Sequence, residues 1–409
     1  MNRGIATLLH QLALEPSDRL LVMTDTKSDV DVGRAIVEGA QEIGADAVWA
    51  HVRPREMNGA DPPPQVVAAF AASDVVVFVN SWSPTHSASV ISAMHSGLRV
   101  LSMPGVRMDM LDVGGMTADY DAVQALTVAW GERFARGGQI RLTTALGTDI
   151  VAELGGLDRR PLIDGGTLPR GRGGLGNMPA GEVAICPVEG TTQGRLVAEL
   201  TVSTTKRPLA RPIEFEIRDG VVVSVRGDQE ARDFEAALNL HGPSAKVVAE
   251  VALGTNAAAR HIGIVIEDEK MCGTAHLGFG NAIGFGGKNR SGIHIDAIFG
   301  AVTCTLDGQT LLEGGNIVSA SLQPCSLESI TPLEGRINPT DRQTRVLDGR
   351  LFVEWDDVHG TAYWAQVGDP ATAKAAADLL ASQGWADRLY DPRLAGLLHS
   401  YGLVRRSPS

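Results

Sequence analysis

Between residues 20 and 104, short apolar runs alternate with segments of helical period, and no other feature limits the fold so tightly. LLVMT at 20–24, AVWAHV at 47–52, DVVVFVN at 74–80 and LRVLSMP at 98–104 have the length of strands. Between the first two, Val32, Ile36, Val37, Ala40 and Ile43 recur at helical spacing, and 64–73 and 85–97 read as two more helices. A strand that is apolar along its whole length has both faces covered, and interleaved helices supply the cover. The expected fold therefore begins with an α/β domain on a parallel sheet, over residues 1–145. The turn after the first run, TDTKSD, has neither G-x-G-x-x-G nor a Walker lysine, so no nucleotide cofactor is expected there.

The pattern changes near residue 140. A loop dense in Gly, Pro and Arg at 165–182 leads into β-rich sequence: EVAICPV, RLVAELTVST and IEFEIRDGVVVSVRG. RDG in the last of these and LDGQ in VTCTLDGQTLLEGG are hairpin signals between alternating runs, and 233–242 reads as one helix. Residues 146–330 are expected to form a mixed α+β domain that carries the chemistry. From about 331 the composition shifts again: LFVEWDDVHGTAYWAQV is strand-like and PATAKAAADLLASQGW is a helix with a Gly stop. Residues 331–409 are read as an extension packing on the catalytic domain or on a partner subunit.

Charge and cysteine usage narrow the function. A formal net charge of −12 argues against a partner with a phosphate backbone or an anionic membrane, both of which call for a basic surface. No window reaches the length of an uncharged membrane span, and the N-terminal stretch lacks the unbroken apolar core of a signal peptide. Cys186, Cys272, Cys304 and Cys325 lie far apart with no CxxC pair, which suits a reducing cytoplasm, and the charge leaves room for a small anionic substrate drawn in by a local basic cluster.

The chemistry concentrates in residues 247–308. In AEVALG, Glu250 sits in an apolar strand-like run, where a carboxylate needs a cation or metal beside it. In HID, His294 and Asp296 are two apart and leave a strand on the same face. Glu269 precedes His276 across a Gly-containing turn. Each feature alone has an ordinary reading: Glu250 could pair with Arg260 or Lys246, and EDEK is by default a solvated turn. Together they favour a divalent-metal site (Zn, Mn, Co or Fe), because structural ion pairs do not call for two histidines. The glycines of GFGNAIGFGGKNRSG suit a loop lining a ligand pocket, and Lys288 and Arg290 would set positive charge on its rim for a substrate carboxylate or phenolate.

The order NMPAGE (177–182), VAEVALG, DEK…AHLGFG and GIHIDAIF resembles the aminopeptidase T / aminopeptidase S metallopeptidases, whose relatives include 2,5-dihydroxypyridine 5,6-dioxygenase. The resemblance covers roughly residues 1–320 and implies a homodimer. It implies that Glu250, Glu269, His276, His294 and Asp296 hold divalent metal, with Ile283 where the peptidases carry a tyrosine ligand; one or two ions remain open. Glu182 and Glu269 are candidate proton carriers. The ring-cleaving relatives share the GGK…H-x-D pattern and use a two-His-one-carboxylate iron(II) site, with a His where this chain has Glu250; His276, His294 and Asp296 would then form the triad. On this reading the first expectation is a metallohydrolase of an amide or related C–N bond in a small substrate. A mononuclear iron(II) ring-cleaving dioxygenase is the second.

Overall fold

The computed structural model describes residues 2–318, apart from 57, 86, 156–158, 160 and 169–172, together with three strands between 342 and 367. The strands expected near the N-terminus form a five-stranded parallel sheet in the order Asp46–Val52, Arg19–Asp25, Val75–Val79, Arg99–Ser102, Gly174–Asn177. Val75 to Val79 are all buried, as a central strand covered on both faces must be. The helix Val30–Glu42 starts where Asp29 accepts a hydrogen bond from the Asp31 N–H, and it buries Val32, Ile36 and Ala40. Helices Pro64–Phe70 and Ala88–His95 occupy the other two expected positions.

Gly174–Asn177 and Tyr120–Arg136 are among the elements that escaped the sequence pattern. Gly174–Asn177 lies in the stretch read as a loop, because Gly-rich sequence carries no strand signal; its pairing with Arg99–Ser102 imposes the conformation. Tyr120–Arg136 is a helix buried at 13 of its 17 positions, so it lacks the polar face that marks an amphipathic period.

The second half builds two antiparallel sheets. The eight-stranded one contains both expected hairpins, Ile213–Arg218 with Val221–Arg226 and Thr303–Leu306 with Gln309–Glu313. The six-stranded one runs Thr201–Val202, His294–Phe299, Ala275–Gly280, Val248–Gly254, Glu182–Ile185, Leu162–Asp164. One apolar core joins these sheets to the helices Tyr120–Arg136 and Gln229–Leu240. At its centre Phe215, Phe234 and Phe279 pack with ring centroids 5.2 to 5.9 Å apart. Phe234→Ala is expected to cost about 3–5 kcal/mol, read as a shift of the urea midpoint; a change below about 1 kcal/mol would show that this cluster is not a keystone of the core.

Cys186, Cys272 and Cys304 are free thiols, and Cys325 lies outside the described residues. Among the described residues no helix is long and apolar enough to cross a membrane. The strand-like sequence near 351–367 contributes Arg350–Asp356 and Ala362–Val367 to a three-stranded antiparallel sheet begun by Arg342–Leu347. The helix expected at 370–385 lies outside the described residues.

Candidate metal centre

Five side chains converge because an antiparallel sheet repeats every two residues. Residues directly opposite share a face, and so do residues two apart along a strand. In the six-stranded sheet Glu250 pairs with Gly278 and Gly278 with Asp296; Gly280 pairs with His294, Ala252 with His276 and Gly254 with Glu182. Steps of two from these pairs put Glu182, Glu250, His276, His294 and Asp296 on a single face. Gly278 leaves the space between them: a Cβ there would lie 2.7 Å from His294 Cε1 and 2.8 Å from Glu250 Oε2.

His294 Nε2 stands 2.8 Å from Glu250 Oε2 and 3.1 Å from Asp296 Oδ1. Its Nδ1 lies 2.9 Å from the Asn281 carbonyl. A carbonyl only accepts, so Nδ1 carries hydrogen and Nε2 is the nitrogen turned to the centre. Asp296 is fixed by Ser203, whose hydroxyl donates to Oδ2 at 3.1 Å and accepts from the Asp296 N–H at 2.8 Å. His276 Nε2 lies 3.4 Å from Glu250 Oε1 and 3.6 Å from Glu182 Oε2. Phe285 stacks on His294 with ring centroids 5.0 Å apart.

The electrostatics call for a cation. Burial pulls the His276 imidazole down, but the hydrogen bond and charge of Glu250, with Glu182 and Glu269 beyond, push it up to about 9. His294 rises well above the usual imidazole range: burial opposes the rise, and Asp296 and Glu250 outweigh it. Burial would raise Glu250, but the two imidazoles hold it well below the usual carboxylate range. Without a metal, protonated histidines thus supply the positive charge. Among the described residues, Glu182 Oε2 and Asp296 Oδ1 are buried acceptors that receive no hydrogen bond and face only an imidazole nitrogen, at 3.6 and 3.1 Å. Oxygen and imidazole donors around a glycine-lined gap fit a divalent cation.

The EDEK segment is no solvated turn. Glu267, Asp268, Glu269 and Lys270 are all buried. Glu267 accepts from the Gly115 and Arg260 N–H groups, and Asp268 from those of Ile262 and Gly263 and from the Thr201 hydroxyl. Glu269 and Lys270 point the other way, to the cluster. Lys270 Nζ contacts Glu182 Oε1 and lies 2.8 Å from Glu269 Oε1. Burial pushes the Glu269 carboxyl up to about 8 although Lys270 pulls against it.

The centre opens into a cavity of about 660 Å³. Its opposite wall is made by loops after the parallel strands, including Lys27, Ser81, Ser83 and Arg107, which is where open α/β sheets bind ligands. Lys288 and Arg290 were expected on the rim of the pocket. Both are exposed, and neither lines this cavity. Their loop folds back so that Lys288 N–H donates to Glu189, itself paired with Arg159, while Phe285 faces the centre. Among the described residues, Lys27, Arg107 and Lys206 are the lysines and arginine on the cavity wall.

The other expected ligands, Glu250, Glu269, His276, His294 and Asp296, all line the cavity, and so does Glu182, read from sequence as a proton carrier. Sequence reasoning missed Lys270, Ser203 and Phe285. Lys270 had a signal, since it sits beside Glu269 in a segment with apolar residues on either side; Ser203 and Phe285 had none.

A family model described as 2,5-dihydroxypyridine 5,6-dioxygenase matches residues 2–319. No curated protein matches the chain in sequence. In structure the chain is similar to 2,5-dihydroxypyridine dioxygenase from Pseudomonas putida KT2440, with TM-score 0.63 and 17% identity over 77% of this chain and 97% of that one. It is also similar to AmpT from Thermus thermophilus, with TM-score 0.54 and 16% identity over 77% of this chain and 98% of that one. At such identities the likeness establishes a shared fold.

Proposed function

The chain belongs to the 2,5-dihydroxypyridine 5,6-dioxygenase family, and from that premise we propose that it is a metal-dependent enzyme opening a small hydroxylated nitrogen ring with dioxygen. The observation that carries this is the family match itself, which spans every residue of the donor cluster. It moves the weight from amide hydrolysis, the first expectation from sequence, to ring cleavage.

Glu250, His294 and Asp296 would hold the ion, with His276 and Glu182 at its edge. Bound there, an iron(II) ion would supply Lewis acidity and reactivity toward dioxygen. The protein's own residues do the rest. The Asn281 carbonyl and Ser203 hold His294 and Asp296 in one orientation. Phe285 covers one face of the His294 ring and excludes water there. Lys27 and Lys206 favour an anionic oxygen on the substrate. Glu182 and Glu269 line the same cavity, and Glu182 would accept the proton of a ring hydroxyl.

Protein purified without oxygen and loaded with iron(II) is expected to consume one O₂ per hydroxypyridine opened, followed with an oxygen electrode and by loss of ring absorbance. A chelator should abolish turnover. Re-adding the ion at 100 times its Kd should restore turnover and raise stability by about 2.7 kcal/mol, seen as a higher thermal midpoint. Turnover without O₂ uptake would overturn the dioxygenase reading.

One observation favours a second reading, hydrolysis of an amide bond: the centre is more acidic than two imidazoles and one carboxylate. Glu182 and Glu250 lie within 3.6 Å of His276 Nε2, and Glu269 lines the same pocket. Release of an amine from a small amide under anaerobic conditions would decide for it.

A further inference from the structure

We propose that Lys270 is a resident cation that confines the centre to one metal ion. The inference rests on the metal reading above and concerns the half of the cluster away from His294. The ligand-capable atoms form two groups, Glu250 with His294 and Asp296, and Glu182 with Glu269 and His276, the atoms of each lying within 4.8 Å of one another. Each group offers one imidazole and two carboxylates, so donor chemistry alone would let either hold a divalent ion.

What separates them is a charge already in place. Lys270 Nζ contacts Glu182 Oε1, lies 2.8 Å from Glu269 Oε1 and 4.0 Å from Asp164 Oδ2. Lys270 is 0% exposed, so the ammonium cannot swing out to water to make room. A divalent ion in this group would compete for the same carboxylates at hydrogen-bond range of a fixed, buried positive charge, which solvent screens weakly. The group around Glu250 and His294 has no Lys or Arg ion-paired to it among the described residues. It is therefore the group that takes the ion, and the other stays an ammonium-bound acidic pair beside it.

The test counts metal rather than turnover. Full-length wild-type protein and Lys270→Met are saturated with Mn²⁺, passed through a desalting column and analysed by plasma mass spectrometry, with circular dichroism to verify folding. One Mn²⁺ per wild-type chain and two per Lys270→Met chain are expected. Two ions in the wild type, or only one in folded Lys270→Met, would overturn the proposal. If Lys270→Met does not fold, Mn²⁺-soaked wild-type crystals decide: a single anomalous peak beside Glu250, His294 and Asp296 supports it, and a peak among Glu182, Glu269 and His276 overturns it. No bound Mn²⁺ in any of these samples would instead reject the metal reading, and the inference with it.

Discussion

Replacing His294 with alanine is expected to strip the protein of its metal and its activity together. His294 Nε2 contacts both Glu250 and Asp296, at 2.8 and 3.1 Å. Its orientation is set by the backbone rather than by packing alone, since Nδ1 reaches the Asn281 carbonyl at 2.9 Å. Removing the ring takes away a ligand and leaves two buried carboxylates facing one another. Loss of an outer partner of a ligand typically costs about 10–100-fold in metal affinity, and loss of the ligand itself should cost more. Ser203→Ala, which frees Asp296 without removing it, should fall inside that smaller range. Competition against a chelating dye measures both. Full occupancy and wild-type turnover in His294→Ala would dismiss this cluster as the reactive centre.

Gly278→Ala is expected to do nearly as much damage from a position that bears no chemistry. The residue sits in the strand Ala275–Gly280, paired with Glu250 on one side and Asp296 on the other. A methyl group there would lie 2.7 Å from His294 Cε1 and 2.8 Å from both His294 Nε2 and Glu250 Oε2. These approaches are well inside van der Waals contact, so the imidazole and the carboxylate must part. The backbone is ordinary strand, which alanine adopts without strain. The expected signature is a folded protein, with wild-type circular dichroism, whose metal affinity drops on the order of a hundredfold, as when a ligand loses its support. A Gly278→Ala protein that binds metal as tightly as the wild type would show that the ion does not sit over this strand.

The two variants also separate what could be read in the chain from what could not. The His294-x-Asp296 spacing announces a shared face to anyone who assumes a strand. Nothing local announces that Gly278, one of several glycines in GTAHLGFGNAIGFGG, is the one over which the cluster closes. Glu250 offers the same contrast. Its apolar surroundings showed that it needs a positive partner, yet Arg260 and Lys246 were as plausible as a histidine. Arg260 instead reaches the Val113 carbonyl and gives its N–H to Glu267.

The sequence by itself determined the parallel sheet at the start, the hairpins, the residue types of the centre and the face that His294 and Asp296 share. Those follow from periodicity and turn chemistry, which act over a few residues. Tertiary structure alone decided that Glu182 joins Glu250 at His276, that Lys270 is sealed inside an acidic cluster, and that Lys288 and Arg290 are exposed outside the cavity lining. These depend on the register of strands that start at residues 182, 248, 275 and 294. A slip of one residue in any of them would send its side chains to the opposite face, and register is set by packing across the whole sheet rather than by any local pattern.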